Sequence, residues 1–248
     1  MSERTHGVPT PEGEYFEKNR FAGLSLVLGL VAVVGLGLSA VCAYISPEQF
    51  AYSWLFAFAF FFTLCVGCFF WTIVHHAVDA DWSVVVRRQW ENVAALVAVM
   101  ALFFIPIFLL RNHLYEWLTI PVRQDPVLES KRAYLNLNFW TIRAIFFFLF
   151  FILATYTYRR ISISQDKDGN PASTLTMRKL AFVFLPLFGL ALTFGAYDWL
   201  ASLNYKWFST MWGVYIFAGA AGSSMSLPVL VVSALRKAGF LRGTGGRE

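Results

Sequence analysis

His75, His76, Asp79 and Asp81 crowd together between Trp71 and Trp82, and an imidazole beside a carboxylate titrates near neutral pH and can hand protons on. Residues three and four apart are neighbours on a helix, so a helical reading lets Asp79 meet both His76 and His75. Arg87, Arg88 and Glu91 follow closely and would complete a polar pocket. The competing reading is a helix end dressed with snorkelling charges, because ionisable groups cost least where a helix leaves an apolar medium.

A second set lies far along the chain. Arg143 interrupts an apolar run, and Asp198 stands between Tyr197 and Trp199 at the end of another. A charge at the centre of a membrane span costs at least about 2.5–3.5 kcal/mol, so it turns to the protein interior and takes a partner. Arg143 and Asp198 are therefore expected to pair, either as a structural ion pair or as a site for a polar headgroup or for protons. Tyr156 and Tyr158, with Tyr44 and Tyr215 at the opposite end, can extend these clusters, although belt aromatics are the commoner use. Ser223, Ser224 and Ser226, beside Gly219 and Gly222, read as a close helix contact.

Other chemistry is poorly supported. Cys65 and Cys68 have redox CxxC spacing but sit between Leu64 and Phe69, without the charges that activate a thiolate. An iron–sulfur cluster takes about four thiolates, and the chain has 3 cysteines. Bis-histidine haem would need two facing intramembrane histidines, whereas His75 and His76 are adjacent, His113 lies at the other face and His6 in the N-terminal segment. There is no Gly-rich phosphate loop, HExxH or acidic metal cluster. The sequence predicts no metal and no cofactor held by this chain.

The elements carrying these residues follow from composition. The chain is 58% hydrophobic, 18% aromatic and 14% charged, whereas a soluble domain has about 25% charged residues. An apolar run of about 20 residues crosses a bilayer. Six such runs occur, at 21–45, 50–77, 90–111, 138–158, 177–200 and 208–235. Backbone groups in lipid need internal partners, and runs without period-2 alternation choose helices over a barrel. The fold expected is an all-α integral membrane bundle of six helices in a lipid bilayer. The net charge of +5 is scattered at the ends of the runs, unlike a nucleic-acid patch. Counted by side, fourteen Lys and Arg face five, namely Arg111, Arg123, Lys131, Arg132 and Lys206. By the positive-inside rule both termini are cytoplasmic. Residues 1–20 read as a polar N-terminal segment leading into a retained helix, not a cleaved signal. The 161–176 connection reads as a mobile polar loop, and 236–248 as a disordered cytoplasmic tail. The 112–137 connection, with Trp117, Pro121, Pro126 and Tyr134, reads as a structured interfacial segment fit for docking.

Two segments carry a resemblance: His75 to Trp82 running on into Ser83 to Arg88, and Tyr197 to Leu203 continuing through Trp207 to Gly219. Together they resemble the NrfD-like (polysulfide reductase type) membrane subunits, most of all the ActF-type subunit of bacterial alternative complex III, a quinol:cytochrome c oxidoreductase. The resemblance covers essentially the whole chain. It implies a multi-pass subunit of the bacterial inner membrane and a role in respiratory electron transport and proton translocation. The partners implied are a second NrfD-like subunit, an iron–sulfur/molybdopterin-type subunit and c-type cytochromes, which hold the iron–sulfur clusters and haem c. Quinol or menaquinol would be oxidised near the periplasmic face, in a region containing Arg143, Tyr197, Asp198 and Trp199. His75, His76, Asp79, Asp81 and Glu91 on one side, and Arg143 and Asp198 on the other, would be the proton-transfer groups. Subunits of this type have more spans than six, so a C-terminally short form is implied. The alternatives are a secondary transporter fragment and a structural membrane anchor. Pro106, Pro186 and Pro228 do not form the matched pair of broken helices that a transporter repeat would show.

Overall fold

The computed structural model describes residues 22–121 and 125–237. The N-terminal segment and the tail beyond Lys237 lie outside the described residues. Ten α-helices follow in order: α1 Ala22–Ile45, α2 Pro47–Ala77, α3 Val84–Ala94, α4 Val97–Phe103, α5 Ile105–Leu109, α6 Arg111–Leu114, α7 Pro126–Lys131, α8 Leu137–Asp168, α9 Pro171–Trp199 and α10 Trp212–Lys237. Among the described residues, six helical segments are long and apolar enough to span a membrane. This is an all-α membrane bundle. The third span, Val86–Leu109, is built from α3, α4 and α5. Its breaks keep right-handed helical backbone at Leu96 and Phe104, so the path stays helical where the hydrogen bonds loosen.

The largest departure from the sequence expectation is the 161–176 segment, which is not a loop. α8 continues for 32 residues to Asp168, and α9 begins at Pro171. Gly169 adopts φ 62°, a left-handed helix cap that costs glycine nothing. The Asn170 side chain accepts from the Ala172 amide, and Pro171 supplies a first-turn residue needing no partner. Local capping thus closes a tight helical hairpin from residues whose polarity resembles a loop.

α2 is the central helix, packing on α1, α3, α9 and α10. Its partner on one side is α10, held close by Gly67: a Cβ there would stand 2.2 Å from the Ala220 carbonyl oxygen and 2.5 Å from Ser224 Oγ. Ser224 is fully buried in this contact. Gly219 and Gly222, expected to make it, face open space. Trp71 Nε1 donates to the Ala221 carbonyl at 2.9 Å and Trp90 Nε1 to the Ser224 carbonyl at 3.0 Å, satisfying indole groups that lipid could not. Cys65 and Cys68 are buried free thiols on either side of Gly67.

The middle of the bundle is aromatic. Phe58, Phe62, Phe104 and Phe148 surround the Trp199 ring, with centroids 5.0–5.8 Å away. α1 packs chiefly on α2 and buries none of its residues. In the described residues of the 112–137 connection, α6, a 3-10 turn at Glu116–Leu118 and α7 bury Tyr115, Trp117 and Leu128 against the core.

Candidate functional site

The end of the bundle that holds His75 combines α2, α3, α8 and α9. His75 and His76 are 7% and 2% exposed, and their rings meet edge to face at 4.8 Å. His75 Nδ1 is hydrogen-bonded to Ser83 Oγ at 2.6 Å, the tautomer deciding which group donates. His76 lies 5.4 Å from the Tyr158 ring, and its Nε2 is buried without a hydrogen-bond partner among the described residues. Tyr158 donates its own hydroxyl to the Met177 carbonyl at 2.8 Å.

Asp79 does not meet the histidines as helical spacing predicts. α2 ends at Ala77, the Ala80 amide closes back on the His75 carbonyl, and Asp79 takes φ 54° in the turn. The i+3 and i+4 geometry therefore stops before Asp79. Its side chain pairs instead with Arg178 at the start of α9. That guanidinium holds the Asp79 carboxyl below the usual carboxylate range. Asp81 is exposed on the following 3-10 turn.

Glu91 is 3% exposed. It accepts from Arg88 Nη1 at 2.7 Å and from Ser162 Oγ at 2.9 Å, with Arg87 Nε at 3.5 Å. Arg88 also pairs with Asp166, on the α8 extension. Two groups thus share this end: an imidazole pair flanked by hydroxyls, and a buried carboxylate ringed by donors. Imidazoles, hydroxyls and a carboxylate can take up and pass protons. Ser162, Arg178 and Asp166 went unrecognised in the sequence, since only folding brings α8 and α9 to α2 and α3. Ser83, in the quoted segment, carries no sequence signal for its role.

At the opposite end Arg143 and Asp198 form the expected pair. Arg143 Nε and Nη2 donate to the two Asp198 carboxylate oxygens at 2.6 and 2.8 Å, a two-pronged contact. Arg143 Nη1 donates to the Tyr134 carbonyl at 3.1 Å, and the guanidinium lies 3.8 Å from the Tyr134 ring centroid. The Asp198 carbonyl accepts from Trp140 Nε1 and Ser202 Oγ. Asp198 is fully buried and Arg143 8% exposed.

Successive helical residues point in different directions, so the Tyr197, Asp198 and Trp199 triplet divides. Asp198 meets Arg143. Trp199 turns into the aromatic core and does not line the outer cavity. Tyr197 lines a cleft of about 330 Å³ between the α7–α8 turn and the 200–211 connection, along with Lys131, Tyr134, Ser202, Tyr205 and Trp207. Tyr156, Tyr44 and Tyr215 are exposed on the bundle surface, whereas Tyr158 joins the histidine cluster.

Among the described residues no three His, Cys, Asp or Glu side chains come together as a metal-binding set. No family model matches the chain, and no curated protein matches it in sequence.

Proposed function

We propose that this chain is a multi-pass subunit of a respiratory quinol:cytochrome c oxidoreductase of the alternative complex III type, in the bacterial inner membrane. It contributes to quinol interaction and to transmembrane proton conduction, while a second NrfD-like subunit, an iron–sulfur/molybdopterin-type subunit and c-type cytochromes complete the assembly and hold the redox centres. The sequence resemblance supports the assignment. The observation that carries it is the pairing of two buried ionisable clusters at opposite ends of one bundle, one of them holding a His76 Nε2 with no hydrogen-bond partner among the described residues. Intramembrane ionisable groups are expensive and are kept where they pair or move charge.

In this reading the Lys and Arg asymmetry places the His75 end and both termini at the cytoplasm. His75, His76, Asp79, Asp81 and Glu91 take up protons there, and Arg143 and Asp198 act near the release side, where Tyr197 walls the quinol region. Among the described residues, the aromatic middle between them contains no Asp, Glu, His, Lys or Arg. Conduction therefore needs water or groups from the paired bundle, in keeping with a subunit that works inside a complex.

A structural anchor is the second reading, and one observation favours it: the Arg143–Asp198 pair is closed on itself by protein donors and acceptors. Purification without dissociation separates the two. Co-migration with multihaem cytochrome and iron–sulfur subunits is expected, and a self-sufficient monomer or dimer would refute the assignment. Within the complex, a His75→Ala/His76→Ala double substitution is expected to lower protons moved per quinol oxidised. Normal oxidation with normal proton stoichiometry would eliminate the relay role.

A further inference from the structure

The cleft beside Tyr197 has a charge pattern that neither ion cluster explains. Among the described residues, Lys131 is the charged one lining it, and no carboxylate lines it. The Lys131 ammonium uses one N–H on the Tyr205 carbonyl at 2.5 Å, and an ammonium has three donors. Glu129, two residues before Lys131, is exposed and lies 3.8 Å from Arg132, and Asp125 is occupied elsewhere. It accepts from Tyr205 Oη at 2.6 Å and from the Val127 amide at 2.8 Å, and Lys206 Nζ lies 3.5 Å away. Tyr205 holds the Asp125 carboxyl below the usual carboxylate range, so its charge stays committed to that bond. Phe208, Ser209 and Thr210 also line the cleft. The walls are Tyr134, Tyr197, Tyr205 and Trp207. An ammonium set among aromatic rings, with Ser209 and Thr210 on the same wall, suits a ligand with acceptor oxygens and a net negative charge.

The surroundings supply its second character. The cleft lies at the end of membrane spans, among Tyr and Trp side chains that settle at headgroup depth. Phe208 on the cleft wall, and Met211 and Tyr215 in the segment that follows it in the chain, are 80%, 62% and 69% exposed. A wholly water-soluble anion would have no use for this apolar ledge.

We propose that the cleft between the α7–α8 turn and the 200–211 connection binds the phosphate of one anionic phospholipid, with Lys131 as its counter-charge and the acyl chains lying over Phe208, Met211 and Tyr215. The bound lipid fills a cleft of about 330 Å³. The cleft shares its Tyr197 wall with the proposed quinol region, but the lipid assignment rests on Lys131 and the apolar ledge and not on that reading.

The test uses the full chain, purified in detergent, stripped of lipid and titrated separately with phosphatidylglycerol, phosphatidylcholine and inorganic phosphate, with bound lipid read by native mass spectrometry. Expected are retention of one phosphatidylglycerol per chain, no comparable retention of phosphatidylcholine and no displacement by equimolar inorganic phosphate. Lys131→Gln should weaken phosphatidylglycerol binding about tenfold or more, the usual weight of a hydrogen bond to a charged group, and Lys131→Arg should restore it. Ala201→Trp, which fills the cleft without touching a charge, should abolish retention. Equal retention of phosphatidylcholine would overturn the charge selectivity, and displacement by inorganic phosphate would make this a free-anion site. Undiminished phosphatidylglycerol binding by both Lys131→Gln and Ala201→Trp would remove the site altogether.

Discussion

Replacing Gly67 by alanine tests the packing on which both ends of the bundle depend. Ordinary contact with a Cβ begins at 3.4 Å, but the Ala220 carbonyl oxygen would stand at 2.2 Å, leaving about 1.2 Å to be found. The obstructing atom is α10 backbone, so no side-chain rotation relieves it, and α2 and α10 must part. Overpacking of this kind costs about 1–3 kcal/mol. Parting the helices also stretches the Trp71–Ala221 and Trp90–Ser224 hydrogen bonds, each worth about 1 kcal/mol. The better helix propensity of alanine offsets about 0.5–1 kcal/mol. The net expectation is a loss of about 2 kcal/mol or more. Gly222→Ala meets nothing within 4 Å and is the matched control, expected to be neutral or slightly stabilising. The assay is denaturation of the detergent-solubilised protein, with maleimide labelling as a local readout. Cys42 is exposed and reacts in every variant, while Cys65 and Cys68 flank the contact and should become reactive only when it opens. A Gly67→Ala protein as stable as Gly222→Ala, with Cys65 and Cys68 still protected, would refute the reasoning.

Three further outcomes follow. Arg143→Ala leaves the Asp198 carboxylate buried without its partner, which costs about 3–5 kcal/mol, whereas Arg143→Met combined with Asp198→Leu should recover most of that in the same denaturation assay. A double variant no more stable than the single one would contradict the ion-pair account. Gly169→Ala places a side chain at φ 62°, a strain of about 1–2 kcal/mol, and should raise hydrogen exchange in the turn joining α8 to α9; unchanged protection would show the turn is not set by this residue. Asp79 has a depressed carboxyl in the folded protein. Its pairing with Arg178 is therefore fully present above the ordinary carboxylate pKa, near about 3.9, and is lost as pH falls through the lower folded value. Exchange of the Ala80 amide, bonded to the His75 carbonyl at 3.0 Å, should rise on acidification relative to its intrinsic rate in the native protein and be flat in Asp79→Asn. Identical pH profiles would show that the pair does not hold this turn.

Hydropathy determined the class and the number of spans, because a bilayer admits only helices or closed barrels and sets the length of each apolar run. It also marked Arg143 and Asp198 as partners, since two lone charges in apolar runs have few other ways to be buried. What it could not see were interactions whose partners are distant in the chain. The α8 extension from Arg159 to Asp168 is polar and so resembled a loop, yet it forms a helix beyond the apolar run and carries Ser162 and Asp166 to α3. The turn after Ala77 carries Asp79 away from the histidines and gives it to Arg178. The direction of each residue around its helix sends Trp199 to the core and Tyr197 to the cleft, and the close approach of α2 and α10 falls on Gly67 instead of Gly219 or Gly222. Apolar length is a local property that lipid reads segment by segment. Partnership among the few polar groups depends on where helix ends fall and how neighbouring helices rotate, and those are decided only when the bundle packs.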